Sequence, residues 1–153
     1  MMKNLFQILC GLFLVVSYSS CMHSEEDKVD VLIIGGGASG VTSGIQSARM
    51  GANTLILEES TWLGGMLTSA GVSAVDGNYR LPAGLWGEFK NRLSDYYGGL
   101  DSLKTGWVSN VLFEPSVGNK ILHEMVAAEN NLKVWKQACL EEVKRTGDEW
   151  VAK

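Results

Sequence analysis

Residues 30–59, DVLIIGGGASGVTSGIQSARMGANTLILEE, constrain this chain more than any other stretch, because they set strand, glycine turn, helix, strand and acid in one order. The apolar run from Val31 to Ile34 has the length of a buried parallel strand, and it leads directly into Gly35, Gly37 and Gly40 at the spacing G-x-G-x-x-G. Each glycine answers a different steric demand. Gly35 permits a tight turn out of the strand, Gly37 leaves the backbone bare where a pyrophosphate would approach, and Gly40 lets the following helix sit close on the sheet. Phosphates held by this turn, which Gly36, Ala38 and Ser39 complete, would face free N–H groups at a helix N-terminus, where the macrodipole favours negative charge.

A glycine triplet alone is a weak signal, so the flanks decide. Val41, Ile45 and Ala48 fall on one face of a helix that the pattern ends at Gly51, a natural residue for the position after a helix. A second strand, Thr54 to Leu57, follows, and Glu58 stands eighteen residues beyond Gly40, near the spacing of roughly twenty that a dinucleotide site needs for its ribose acid. A carboxylate at that strand end accepts hydrogen bonds from an adenosine ribose and repels a 2′-phosphate. Glu59 is the adjacent candidate, but side chains alternate along a strand, so only one of the two can serve. A glycine turn without a ligand would leave this order of elements unexplained.

Beyond the acid, the stretches LILEESTWLGGMLTSAGVSAVDGNYRLPAGLWGEFKNRL and FEPSVGNKILHEMVAAENNLKVWKQACLEEV carry a likeness. From about Val29 onward the chain resembles the FAD-dependent oxidoreductases of the glutathione-reductase-like superfamily, and more narrowly their xanthan-lyase-like group. The resemblance implies an α/β fold: a Rossmann-like FAD-binding βαβ unit with a parallel sheet, inserted helices and the start of a β-meander, an incomplete domain over residues 29–153. It implies FAD as cofactor, with Gly64, Gly65 and Met66 continuing the site toward the flavin and the backbone near Leu140 beside the adenine. A Gly-Gly step offers bare amides to an extended ligand, although on local grounds it also suits a surface loop. An NAD(P)-binding dehydrogenase domain has no need of that second glycine loop, and it stands as the alternative, together with a non-catalytic remnant of a flavoprotein. The resemblance further points to a small-molecule substrate, carbohydrate-derived by association with polysaccharide degradation. Members of the family run to several hundred residues, and residues 150–153 read as the middle of a strand. The expectation is therefore an N-terminal portion of a larger enzyme, inactive alone, with the catalytic residues unassigned.

The remaining pattern fits that frame. Over residues 83–97, Leu85, Trp86, Phe89, Leu93 and Tyr96 or Tyr97 recur at helical spacing, with Glu88, Lys90, Arg92 and Asp95 off the stripe and Gly98-Gly99 as the stop. Pro115 suits the first position of another helix, whose buried face is Val117, Ile121, Leu122, Met125 and Val126 and whose end is read at Asn130-Asn131. A third strand, Leu132 to Trp135, follows. A hairpin is then predicted from strands at 139–143 and 149–152, joined through Arg145, Thr146, Gly147 and Asp148. Asp76, Tyr79 and Arg80 suit a turn at Asp76-Gly77 better than a ligand contact. His123 reads as solvated, and Trp62, Trp86, Trp107 and Trp135 read as packing residues.

The N-terminus is of a different kind. Residues 1–20 hold one cation, Lys3, then the twelve-residue apolar stretch LFQILCGLFLVV, then serines leading to Cys21. A spanning helix needs roughly twenty apolar residues, so this reads as a secretory signal. Small residues directly before a cysteine resemble a bacterial lipobox, which implies a lipid on Cys21, a polar tether over 21–28, and a protein exported to the periplasmic side of a membrane or the cell surface; a soluble periplasmic protein is the alternative. Tyr18 departs from the aliphatic residue usual in that motif. The net charge of −4, one unit more negative once Lys3 leaves, comes without a basic patch and argues against nucleic acid as a partner. The three cysteines, Cys10, Cys21 and Cys139, form neither a disulfide framework nor a C-x-x-C pair, and no metal-ligand cluster stands out. If Cys21 is acylated, membrane fractionation should place the mature protein with the membranes, and Cys21→Ser should release it or leave the precursor uncleaved. Wild-type protein found wholly in the soluble periplasmic fraction would remove the anchor.

Overall fold

In the computed structural model, residues 27–77, 79–107 and 109–153 are described; the signal segment, Cys21 and most of the tether lie outside the described residues. The three apolar runs form the strands expected of them, β1 (Val31–Ile34), β2 (Thr54–Glu58) and β3 (Leu132–Lys136), in one parallel sheet of order β1-β2-β3. Thr54 lies opposite Val31 on one side and Leu132 on the other. This makes β2 the central strand, and it is accordingly buried from Thr54 through Leu57, a continuous rather than alternating pattern. Each parallel step needs a crossover, and helices supply them: α1 (Ala38–Arg49) between β1 and β2, α2 (Gly84–Tyr97) and α3 (Pro115–Ala127) between β2 and β3. Among the described residues β1 is paired on one side only, and Leu32 and Ile34, which share one face of the sheet, are exposed.

The core lies where the helices meet the sheet. Val41 and Ile45 of α1, Ile56 of β2, Phe89 and Leu93 of α2, and Ile121 and Met125 of α3 are all buried in one cluster. The apolar stripe predicted for α3 is buried in full, although the helix ends at Ala127, before the asparagines read as its stop. On α2 the stripe continues to Tyr97, whose hydroxyl accepts from the Glu114 N–H at 3.0 Å, whereas Tyr96 is exposed. Lys90 departs from the pattern. Predicted off the stripe, it is buried, because its stem lies along the core while its ammonium sits 5.9 Å from the Trp86 ring centroid and donates to the carbonyls of Tyr79 and Leu81 at 2.8 and 2.9 Å.

The end of α1 is fastened from two sides. Arg49, in the last turn, pairs with Glu129 at 2.7 Å and with Glu88 at 2.9 Å, tying α1 to α2 and to the segment just beyond α3 and placing a cation at the negative end of the dipole. The Asn131 amide donates to the carbonyls of Ala48, in the last turn of α1, and Ala52, just beyond it, at 2.9 and 2.8 Å, tying the end of the helix to the start of β3. The long connection from β2 to α3 is ordered by a short antiparallel contact: Val75 donates to the Val111 carbonyl at 3.0 Å, and Phe113 to that of Ser73 at 3.2 Å.

Three expectations need correction. The hairpin is present but shifted: its strands are β4 (Val143–Thr146) and β5 (Glu149–Ala152), with only Gly147 and Asp148 between them. Arg145 and Thr146 belong to the strand, since Gly147 alone supplies the positive φ of a two-residue turn. Cys139, read as a small strand residue, lies outside any strand and is exposed. Nor do all the tryptophans pack: Trp107 is 97% exposed, and Trp135 is exposed on β3. No helix among the described residues is long and apolar enough to cross a membrane. Asn131→Leu should cost about 1–3 kcal/mol, the penalty for stranding polar groups, read as a lower urea midpoint at unchanged slope; an unchanged midpoint would show that water replaces this amide without loss.

Candidate dinucleotide-binding site

The turn between β1 and α1 is shaped by contacts that only glycine tolerates. A Cβ on Gly40 would lie 1.9 Å from the Gly35 carbonyl oxygen, a backbone atom that cannot swing away. Gly40 therefore sets the depth at which α1 meets the turn, and bond formation from Val41 N–H to the Gly37 carbonyl, at 2.9 Å, starts the helix there. Around Gly37, by contrast, a Cβ would meet nothing within 4 Å. One glycine is needed for packing inside the protein, the other for an open approach from outside. The difference matches the separate demands of helix packing and a bound pyrophosphate. Ala38 opens the helix, with no acidic side chain in its first turn to compete for the amides.

Glu58 closes the turn from the end of β2. One carboxylate oxygen accepts from the Gly36 N–H at 2.7 Å, and the other from the Ser60 N–H at 2.7 Å. Burial disfavours its ionised form, but the hydrogen bonds from Ser60 and Gly36 outweigh burial and hold the pKa below the ordinary glutamate value. A carboxylate has about four lone-pair positions, so two remain for ribose hydroxyls. Glu59, one residue past the end of β2, is exposed, and among the described residues no hydrogen bond ties it to the turn. Of the two sequence candidates, the geometry brings Glu58 to the glycines and leaves Glu59 away from them.

The second glycine loop joins the first. The Gly64 N–H donates to the Gly36 carbonyl at 2.8 Å, and Gly64 pairs with Gly37 as a parallel bridge. Gly64 has φ +106°, and a Cβ there would strike Leu122 at 2.6 Å and Thr68 at 2.7 Å, so conformation and space both require glycine. A Cβ on Gly65 would lie 3.1 Å from the Gly37 Cα. Met66 follows in a short 3₁₀ turn, Gly65–Leu67, with its side chain exposed. The second loop thus packs directly on the first: the Gly64 N–H is taken up by Gly36, and Gly65 lies against Gly37.

Leu140 is half-buried between β3 and β4. The chain just before it returns to the acid, with Ala138 donating to the Glu58 carbonyl at 3.1 Å and Gln137 to that of Ser60 at 3.3 Å. Gly77 lies at a bend with φ +66°, and Arg80 folds onto its neighbour, with Nε donating to the Tyr79 hydroxyl at 3.1 Å. His123, expected in solvent, is half-buried; burial first, then the Lys136 charge, lower its pKa. Among the described residues no group of His, Cys, Asp or Glu is placed to hold a metal ion. The residues present fit an extended dinucleotide: an open turn at a helix start, an acid beside it and a second bare loop in continuation.

The family model described as FAD dependent oxidoreductase matches residues 30–153. No curated protein matches. Among solved structures, CabE, an aromatic hydroxylase from angucycline biosynthesis, is 16% identical with a TM-score of 0.54, covering 82% of this chain and 27% of its own. Thioredoxin reductase from Lactococcus lactis is 17% identical with a TM-score of 0.47, over 82% of this chain and 30% of its own. L-proline dehydrogenase from P. horikoshii is 20% identical with a TM-score of 0.43, over 83% and 20%. The chain thus spans a third or less of the length of these three structures, and at such identities the first likeness shows the fold alone.

The pair of hydrogen bonds on Glu58 yields a test. A carboxylate accepts from both N–H groups, whereas the amide of Glu58→Gln would turn an NH₂ toward one of them. The substitution should weaken FAD binding by about 1–3 kcal/mol. Because the folded pKa is lowered, the stability Glu58 contributes is present above its unfolded pKa and is lost as pH falls through the folded one, so the variant should show a shallower loss of stability in acid. Equal FAD retention on dilution by wild type and variant would remove Glu58 from the site.

Proposed function

The chain belongs to the FAD dependent oxidoreductase family, and from that premise we propose that it binds the ADP half of FAD noncovalently as the N-terminal part of an exported, lipid-anchored oxidoreductase. The observation that carries this reading is the hydrogen bond from Gly64 to Gly36, which sets a second bare loop against the dinucleotide turn. A mononucleotide or the ADP part of NAD would be served by the first turn and the acid alone. A ligand that extends further uses both.

The roles follow from the geometry. The turn at Gly35 to Gly40 receives the pyrophosphate on free amides at the start of α1, Glu58 accepts from the adenosine ribose, and its charge disfavours a 2′-phosphate. Gly64, Gly65 and Met66 lie toward the flavin side, and the backbone at Leu140 beside the adenine. When bound, FAD supplies the electron-accepting ring, and the protein supplies placement and electrostatics. The substrate is a small molecule; the sequence resemblance favours a carbohydrate-derived one. Cys21 carries the lipid that holds the enzyme on the periplasmic side of the membrane.

Titration of the purified chain with FAD, NAD and NADP discriminates the readings. FAD is expected to bind at least tenfold more tightly than either nicotinamide dinucleotide and to raise the thermal midpoint, as about 2.7 kcal/mol of stabilisation follows at a hundredfold excess over Kd. Preference for NAD or NADP would favour a dehydrogenase domain, and no response to any of the three a remnant. The 153-residue chain alone is expected to give no substrate-dependent bleaching of the flavin; bleaching by a specific substrate would show that the family's remaining length is dispensable for turnover.

A further inference from the structure

The glycine spacing explains how the two loops can touch, but not what keeps the second against the first. Leu63 is fully buried, and its side chain sits against the first loop, where a Cβ on Gly36 would lie 2.8 Å from Leu63 Cδ2. Both backbone polar groups of Leu63 are held by side chains. Its carbonyl accepts from the Thr68 hydroxyl at 2.5 Å, a local contact. Its N–H donates to Asn119 Oδ1 at 2.9 Å, across 56 residues of sequence. Asn119 lies on α3, which approaches the loop very closely: a Cβ on the preceding Gly118 would lie 3.3 Å from Thr68 Cγ2, and Leu122 is the side chain that a Cβ on Gly64 would strike.

We propose that Asn119 is a positioning residue of the cofactor site. Its side-chain oxygen fixes Leu63, and through Leu63 the backbone of Gly64 and Gly65, which lies beside Gly37. The α3 helix, which touches no part of the first turn through this residue, thereby sets the geometry of the second loop. Asparagine suits the task because a neutral acceptor at that point satisfies a buried N–H without adding charge, whereas an apolar residue would leave the N–H stranded and the loop free to move. This inference rests on FAD being the ligand.

The experiment is calorimetric titration of the full chain with FAD, paired with thermal unfolding of the ligand-free protein. Asn119→Leu is expected to weaken FAD binding about tenfold, and Asn119→Asp, which keeps the acceptor, to bind within about threefold of wild type. Asn131→Leu, which loosens the far end of α1, serves as the control: it should lower the ligand-free midpoint yet leave FAD affinity within about twofold. Should Asn119→Leu fail to fold, Asn119→Ser, too short to reach Leu63 but polar, takes its place with the same expected loss. Undiminished FAD affinity in the Leu or Ser variant, or equal loss in Asn131→Leu, would overturn the positioning role while leaving FAD as ligand. Absence of FAD binding by the wild type would overturn the ligand assignment and the inference with it.

Discussion

One carboxylate that accepts from two backbone N–H groups holds the front of this sheet together. Glu58 reaches Gly36 from the end of β2 and Ser60 from the turn beyond it, each at 2.7 Å. The first bond ties the glycine turn to the neighbouring strand, and the second fixes the chain that leads toward Leu63. The turn must contain glycine where α1 comes close and must stay open where a ligand would enter, so it has few side chains with which to stabilise itself. A charged acceptor supplies what the missing side chains cannot, since hydrogen bonds to ionised groups are roughly twice as strong as neutral ones. It also remains available to a ribose, so the groups that preserve the empty turn are those that would recognise the ligand.

That arrangement depends on close packing behind it. Val41 and Ile45 are fully buried and seat α1 against β2, while Gly40 brings the helix start to the Gly35 carbonyl. The ion pairs of Arg49 and the amide of Asn131 act at the other end of the same helix. These fastenings act at opposite ends of α1, so the close contact of Gly40 with the Gly35 carbonyl holds the helix start whatever happens at the far end. The partly exposed Arg49 pairs contribute modestly by themselves, but they tie α1 to α2 and to the segment after α3 rather than two residues on one surface.

The parts of this structure that sequence made legible are those governed by local periodicity and steric exclusion. The glycine spacing, the apolar runs of β1 to β3 and the stripes on α2 and α3 each depend on residues a few positions apart, and the strands and helices formed where those patterns placed them. The hairpin was misplaced because Lys144, Arg145 and Thr146 offer no apolar alternation; with both strands exposed, no buried face imposes one. Lys90 was misread because binary patterning treats a long cationic side chain as a surface residue, although its stem can enter a core and its end can bond to carbonyls. The contact of residues 73–75 with 111–113 had no local signature at all.

Asn119 and Asn131 mark the limit of what composition and spacing can reveal. Each acts across a large sequence separation, on Leu63 and on the end of α1, and each is an ordinary polar residue in its own neighbourhood. Only the fold shows that their partners are backbone groups, the Leu63 N–H for one and the Ala48 and Ala52 carbonyls for the other. In a glycine-rich site this is a general consequence of removing side chains: the loops cannot anchor themselves, so the anchors must come from elsewhere in the chain. A search for positioning residues around such a site should therefore begin with the neighbouring helices, at the side-chain amides and carboxylates that bond to loop backbone, before turning to the residues that border the ligand.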